Sequence, residues 1–168
     1  MPLSYREIVA TFDRVGSGLA LPLLQKLSVD LFGTSLTALR LPALLPALAT
    51  LVLLPAVGRR LISPPAALFA TAILATSTMH VFYARFGRSY ALVAFLALAF
   101  VVGLTRLVAE HRPPLRRYAT TALAGGLLPW AHLAATAFVG VVGMAAIVAA
   151  LAERGRRSRV LPLLATLA

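Results

Sequence analysis

From about residue 41 to residue 152 the chain is a succession of apolar blocks, each cut off by a short segment rich in arginine, proline or glycine. The blocks run over about 41–57, 66–83, 90–109, 118–130 and 132–152. None shows the alternation of a half-buried strand or the one-sided stripe of a soluble helix. Apolar on every side, such segments have no face to offer water, and their backbone polar groups must be satisfied within the segment, which a membrane-spanning helix does. Composition agrees. Sixty per cent of the 168 residues are hydrophobic and 12% are charged, against about 25% charged in a typical soluble domain; mean hydropathy is +0.90. The fold class expected is all-α, a polytopic bundle of about five spans preceded by an interfacial helix.

The net charge of +11 would suggest nucleic-acid binding in a soluble protein. Here the arginines stand between apolar blocks, where they set orientation, so no nucleic acid is expected as a partner. There are no cysteines, which excludes disulfides and thiolate metal sites.

Residues 1–18 are polar and mixed. Between Leu19 and Phe32 leucines alternate irregularly with Gln25, Lys26, Ser28 and Asp30, a pattern too polar to span and suited to a helix at the membrane interface. Prolines 42, 46 and 55 fall inside the first block, where neighbouring helices can satisfy the carbonyls they free. Pro64-Pro65 suits the start of the second block. Ala84 to Arg88 forms a polar turn before the third, which ends near Arg106. The block 118–130 is the short one: at ~1.5 Å per residue it reaches roughly 20 Å, against about 30 Å of hydrocarbon.

Orientation argues for its crossing. If it crosses, Arg59/Arg60, Arg106 through Arg117 and Arg154 through Arg159 fall on one side, holding ten of the sixteen basic residues. Cytoplasmic loops are the arginine-rich ones, so that side is assigned to the cytoplasm of a cell membrane. The expected layout is residues 1–40 as an extracytoplasmic loop remnant and interfacial helix, 41–159 as the bundle, and 160–168 as the start of a truncated further span. With residues 1–40 outside and half a span at the end, the chain reads as an internal piece of a longer protein.

This orientation gathers the chemically capable residues outside: Glu7, Asp13 and Asp30; His80, Tyr83, Arg85, Arg88 and Tyr90 around one hairpin; Trp130 and His132 at the other. Arginine forks grip phosphate oxygens, and aromatic faces pack on sugar rings. Plainer roles remain open. Arg85 and Arg88 can anchor a helix end, Tyr90 and Trp130 can belong to an interfacial aromatic belt, and His80 can be a packed residue. His132 between two apolar runs is costly unless it lines a cavity or meets a partner. Asp13, on a polar segment, can be a solvated acid.

Four motifs in register resemble one family. Leu31-Phe32-Gly33-Thr34-Ser35 followed by Ala38-Leu39-Arg40-Leu41-Pro42, then Gly58-Arg59-Arg60-Leu61, then Tyr83-Ala84-Arg85-Phe86-Gly87-Arg88-Ser89-Tyr90-Ala91-Leu92, and finally Trp130-Ala131-His132 are similar to stretches of GT-C membrane glycosyltransferases. These are the enzymes related to dolichyl-phosphate-mannose protein mannosyltransferases and to the aminoarabinose lipid A transferase. The resemblance covers roughly residues 19–152. It implies a GT-C-like N-terminal membrane portion and transfer of a sugar from a polyprenyl-phosphate donor to a lipid, glycan or protein on the extracytoplasmic face. The reaction implied is a single inverting displacement at the anomeric carbon, assisted by an outer-loop aspartate. By the same resemblance Arg85 and Arg88 hold the donor phosphate, and Tyr83, Tyr90, His132 and Trp130 line the donor and acceptor cavity.

The sequence also departs from the family. The family's aspartate is expected upstream of Met1, leaving Asp13 as a poor substitute. Phe86 stands where the family often has an acid, and Arg85 where it often has glutamine. No cofactor is implied with certainty, and a divalent metal stays open. The rival reading is a non-catalytic membrane module: a transporter part, a scaffold or a pseudoenzyme. Proline-rich spans with many small residues suit transporters too, although no internal repeat of the helix pattern is visible.

Overall fold

The computed structural model describes residues 4–10, 18–59, 62–110 and 112–152. Among these residues every regular element is helical: α1 (Tyr5–Ala10), α2 (Ala20–Phe32), α3 (Leu36–Gly58), α4 (Pro64–Thr76), α5 (Thr78–Phe86), α6 (Tyr90–Ala109), α7 (Leu115–Ala131) and α8 (Ala135–Ala152). The chain divides into two compact units, with the boundary inside α6 between residues 95 and 96.

In the first unit α2 starts after Gly18 and carries Pro22 in its first turn, where a missing N–H removes no helical hydrogen bond. It stops at Gly33, whose φ of +82° is open to glycine and costly for other residues; the Gly33 N–H closes the helix on Val29 O at 2.9 Å. Ser35 then caps α3, its hydroxyl accepting from Ala38 N at 3.1 Å.

The prolines of α3 decide how α2 docks. Pro42 has no N–H to give to the carbonyl of Ala38, which would otherwise be orphaned in a buried place. Ser28 supplies the replacement, its Oγ donating to Ala38 O at 2.6 Å. One turn earlier on the same face of α2, Gln25 Nε2 donates to Leu39 O at 3.1 Å. Two polar residues of α2 thus meet the backbone beside Pro42.

Deeper in α3 the buried face is built of small side chains, Ala38, Ala43, Ala47, Thr50 and Gly58, and Thr50 returns its hydroxyl to Pro46 O at 2.8 Å. Small residues let backbones approach: Ala47, Ala84 and Ala91 form one buried cluster, and a Cβ at Gly58 would meet that of Ala67 on α4 at 3.1 Å. Hydrocarbon leaves little hydrophobic drive for helix association, so close van der Waals contact of this kind carries the packing.

The block 66–83 is not one straight helix. It breaks at Ser77 into α4 and α5, bent by 55°. Ser77 has an extended backbone (ψ 118°), and its Oγ accepts from His80 N at 3.4 Å. A serine hydroxyl that serves the next helix as a cap competes with continuation of the previous one.

In the second unit Phe100, Leu104 and Leu107 of α6 and Thr121 and Leu128 of α7 are all but inaccessible. Glycines set the α6–α7 approach. A Cβ on Gly103 would come within 3.0 Å of the Thr121 Cβ, and one on Gly125 within 2.7 Å of the Phe100 ring. Arg116 and Arg117 open α7, where positive charge opposes the helix dipole, and Arg117 is offset by an ion pair with Glu110. His132 closes α7: its N–H donates to Leu128 O at 2.9 Å, and its Nδ1 accepts from Ala134 N at 3.3 Å. The last apolar helix therefore begins at Ala135 rather than at His132.

The bundle is polytopic and all-α as expected, with fewer spans. Among the described residues three helices are long and apolar enough to cross a membrane, α3, α6 and α8, and the bent pair α4–α5 makes a fourth if it counts as one span. The fifth expected span, over 118–130, belongs to α7. Its 17 residues reach roughly 25 Å, and Arg116 and Arg117 occupy its first turn. At the lower end of spanning length and with charge in its first turn, it is not one of the helices that are long and apolar throughout.

Candidate functional site

Two adjoining clefts in the first unit share three walls, Arg40, Arg85 and Phe86. The larger, about 580 Å³, is completed by Val81 and Phe82 of α5 and by Thr76 and Thr78 on either side of the break. The smaller, about 270 Å³, is completed by Gln25 of α2, Leu36 and Leu39 of α3, and Gly87. Phe82 and Phe86, one turn apart on α5, stack with ring centres 4.4 Å apart and planes at 22°. Both arginines are solvent-exposed and neither has an ion-pair partner among the described residues. Among the described residues no carboxylate lines either cleft. Two uncompensated guanidinium groups beside apolar rings suit a ligand with an anionic head and an apolar body.

Local sequence explains the placement. α5 ends at Gly87, which takes the left-handed conformation (φ +65°, ψ 37°) that releases the chain directly after Arg85 and Phe86. Arg40 sits in the second turn of α3, just before Pro42. Gln25 Nε2 reaches both segments, donating to Leu39 O at 3.1 Å and to Gly87 O at 3.3 Å.

The expected site residues divide. Arg85 lines both clefts. Arg88 lies exposed in the turn after Gly87 and lines neither. Tyr83 and Tyr90 come together, ring centres 4.3 Å apart, around a separate cavity of about 190 Å³ that also includes His80 and Ser77. Nε2 of His80 is sealed from solvent with no hydrogen-bond partner among the described residues. Trp130 and His132 belong to the second unit, Trp130 largely exposed and His132 half-buried at the end of α7. Asp13 lies outside the described residues, as do Arg60 and Leu61, the basic cluster Arg154 through Arg159, and the apolar stretch 160–168. Among the described residues no three His, Asp or Glu side chains group to hold a metal.

Arg40 and Gln25 were given no role from the sequence. Arg40 lies inside the Ala38-Leu39-Arg40-Leu41-Pro42 stretch that carries the family resemblance, and an arginine held at the edge of an apolar block was the available signal. Nothing marked Gln25, because its partners are main-chain carbonyls distant in sequence.

Away from the clefts, Asp30 at the end of α2 accepts from Lys26 and from the Tyr5 hydroxyl, the latter at 2.9 Å, and Lys26 lies over the Tyr5 ring, 5.2 Å from its centre. These two donors hold the Asp30 carboxyl below the usual carboxylate range, Lys26 contributing most. The acid therefore serves to fasten α1 to α2.

The apolar helices define a multi-pass membrane protein, and its first unit carries a cleft where two arginines stand beside apolar rings. Comparison of the sequence with family models narrows the class. The model of the dolichyl-phosphate-mannose-protein mannosyltransferase family matches residues 17–168, and the chain belongs to that family of membrane glycosyltransferases. No curated protein and no solved structure gives a significant match.

Proposed function

We propose that this chain binds the donor of a membrane glycosyltransferase, which moves a sugar from a polyprenyl-phosphate carrier to a lipid, glycan or protein acceptor on the extracytoplasmic face. One observation carries the reading: Arg40 and Arg85, neither with an ion-pair partner among the described residues, share a cleft with the stacked rings of Phe82 and Phe86. A polyprenyl phosphate has a matching anionic head and isoprenoid body, and the family uses polyprenyl-phosphate-linked sugars in general. In the transfer the acceptor oxygen forms a bond to the anomeric carbon as the carbon–oxygen bond to the carrier phosphate breaks. Negative charge grows on the leaving phosphate, and arginine donors placed there lower the barrier. Arg85 takes this role with Arg40, and Arg88, three residues beyond Arg85, guards the same end of α5. Tyr83, Tyr90, Trp130 and His132 are retained as candidate cavity residues, and Asp13 as a candidate base.

The test is binding and transfer in membranes. Arg85→Ala should weaken binding of a polyprenyl phosphate about 10- to 100-fold, the range expected for lost charge-assisted hydrogen bonds, with membrane insertion unchanged. Arg88→Ala should lower sugar transfer. Unaltered donor affinity in Arg85→Ala would remove the reading. Donor binding with no transfer by the whole protein would make it a pseudoenzyme.

A further inference from the structure

The two arginines come from separate elements, Arg40 from α3 and Arg85 from α5. A clamp made of two such groups is only as good as the joint that fixes their separation. Ala47 and Ala84 hold the two helices together farther along, and beside the arginines themselves the joint is a single side chain. The amide nitrogen of Gln25 has two hydrogens, and it meets two carbonyls: that of Leu39, the residue before Arg40, and that of Gly87, two residues after Arg85. Gln25 is carried on α2, whose own position is fixed by Ser28 on Ala38 O, so it is a braced strut between the two arginine-bearing segments. It is also part of the wall of the smaller cleft.

Gly87 completes the joint. Its left-handed backbone brings its carbonyl to Gln25, and a Cβ there would stand 2.9 Å from Gln25 Nε2. A side chain at position 87 would therefore press on the amide as well as strain the turn. Gln25 bears no charge and needs no contact with the phosphate itself.

We infer that Gln25 is a positioning residue for the anionic head of the ligand, holding Arg40 and Arg85 as one two-pronged clamp. This rests on the donor-binding reading above. It predicts that the arginines act cooperatively because of Gln25. With the strut present, removing either arginine loses most of the clamp. Without it, each arginine acts alone.

The experiment uses the whole chain in lipid nanodiscs. The probes are a short isoprenyl monophosphate and the matching uncharged isoprenol. Arg40→Ala, Arg85→Ala and the double variant are measured in the presence of Gln25 and again with Gln25→Met, an unbranched replacement of similar size without a donor. With Gln25 present the two arginine losses should be non-additive by about tenfold, a size seen for groups sharing one interaction network. Gln25→Met should weaken phosphate binding about five- to tenfold, make the arginine losses additive and leave isoprenol binding unchanged.

Gly87→Ala attacks the same joint from the other side and should give the same loss of coupling, so the conclusion does not hang on one variant. Persistence of the coupling in both variants would overturn the positioning role, as would a parallel fall in isoprenol binding, which would mean a collapsed cleft. Indifference of phosphate binding to Arg85→Ala is a different pattern. It removes the donor reading itself and the inference with it.

Discussion

Individual polar residues in this protein do work that apolar residues cannot. Ser28 is the clearest case. Its hydroxyl satisfies the buried Ala38 carbonyl that Pro42 leaves without a helical donor. Ser28→Ala keeps the helix propensity and removes the donor, leaving a buried acceptor unpaired at a cost of about 1–3 kcal/mol. The expected result is a lower unfolding midpoint in detergent and faster proteolysis between α2 and α3; an unchanged midpoint would show that another donor replaces it.

Asp30 acts through pH. Its carboxyl is held below the ordinary range by Lys26 and then by Tyr5, so the folded state favours the ionised form. The attachment of α1 is thus at full strength above the unfolded carboxyl value of about 3.9 and weakens as pH falls through the lower folded value. Hydrogen exchange of α1 amides should rise on acidification below about pH 4 in the native chain and show no such rise in Asp30→Asn. Equal acid sensitivity in both would assign the effect elsewhere.

At the scale of elements, small residues and helix breaks shape the bundle. Gly103 and Gly125 let α6 and α7 approach at Thr121 and Phe100. Gly103→Ala adds a methyl against the Thr121 hydroxyl, with the Thr121 Cβ and Cγ2 3.0 Å away, and overpacking of this kind costs about 1–3 kcal/mol. Thermal unfolding of the second unit should shift down, and Thr121→Ala, which removes both the hydroxyl and the methyl that face position 103, should recover part of the loss. No recovery would mean that the strain lies in the helix backbone.

Much of this level was legible in advance and some was not. The apolar blocks announce themselves as helices because a continuous apolar segment satisfies its own backbone in hydrocarbon only as a helix. The break at Ser77 is less visible, since serine is also tolerated inside helices, and only its extended backbone reveals the cap. The start of the last helix was misplaced for a similar reason: His132 looks like the first residue of an apolar run, yet its N–H and Nδ1 close α7 and order the turn beyond it.

For the whole molecule the open physical issue is which loops share a side of the membrane. The sequence has no cysteine, so any thiol introduced is the only one. If the arginine-rich loops face the cytoplasm, Arg88→Cys should react with a membrane-impermeant maleimide added to intact cells, and Arg112→Cys only after permeabilisation. Leu133→Cys then decides α7. Reaction from outside means that its 17 residues cross a locally thinned bilayer, and protection means that α7 stays on the cytoplasmic side. Labelling of positions 88 and 112 from the same side would overturn the proposed orientation.

Apolarity is a property of composition along the chain, so the sequence alone determined that this is a helical, multi-pass membrane protein, and four short motifs in register determined its family resemblance. The pairing of arginines could not be read the same way. Arg85 and Arg88 are neighbours in sequence, yet a glycine in the left-handed conformation lies between them and leaves Arg88 outside the cleft. Arg40 and Arg85 are far apart in sequence, yet a proline-disturbed helix turn, a serine and a glutamine bring them to one cleft. Those contacts run through backbone carbonyls, which every residue possesses. Which carbonyl is left open for a side chain is settled only when the helices pack.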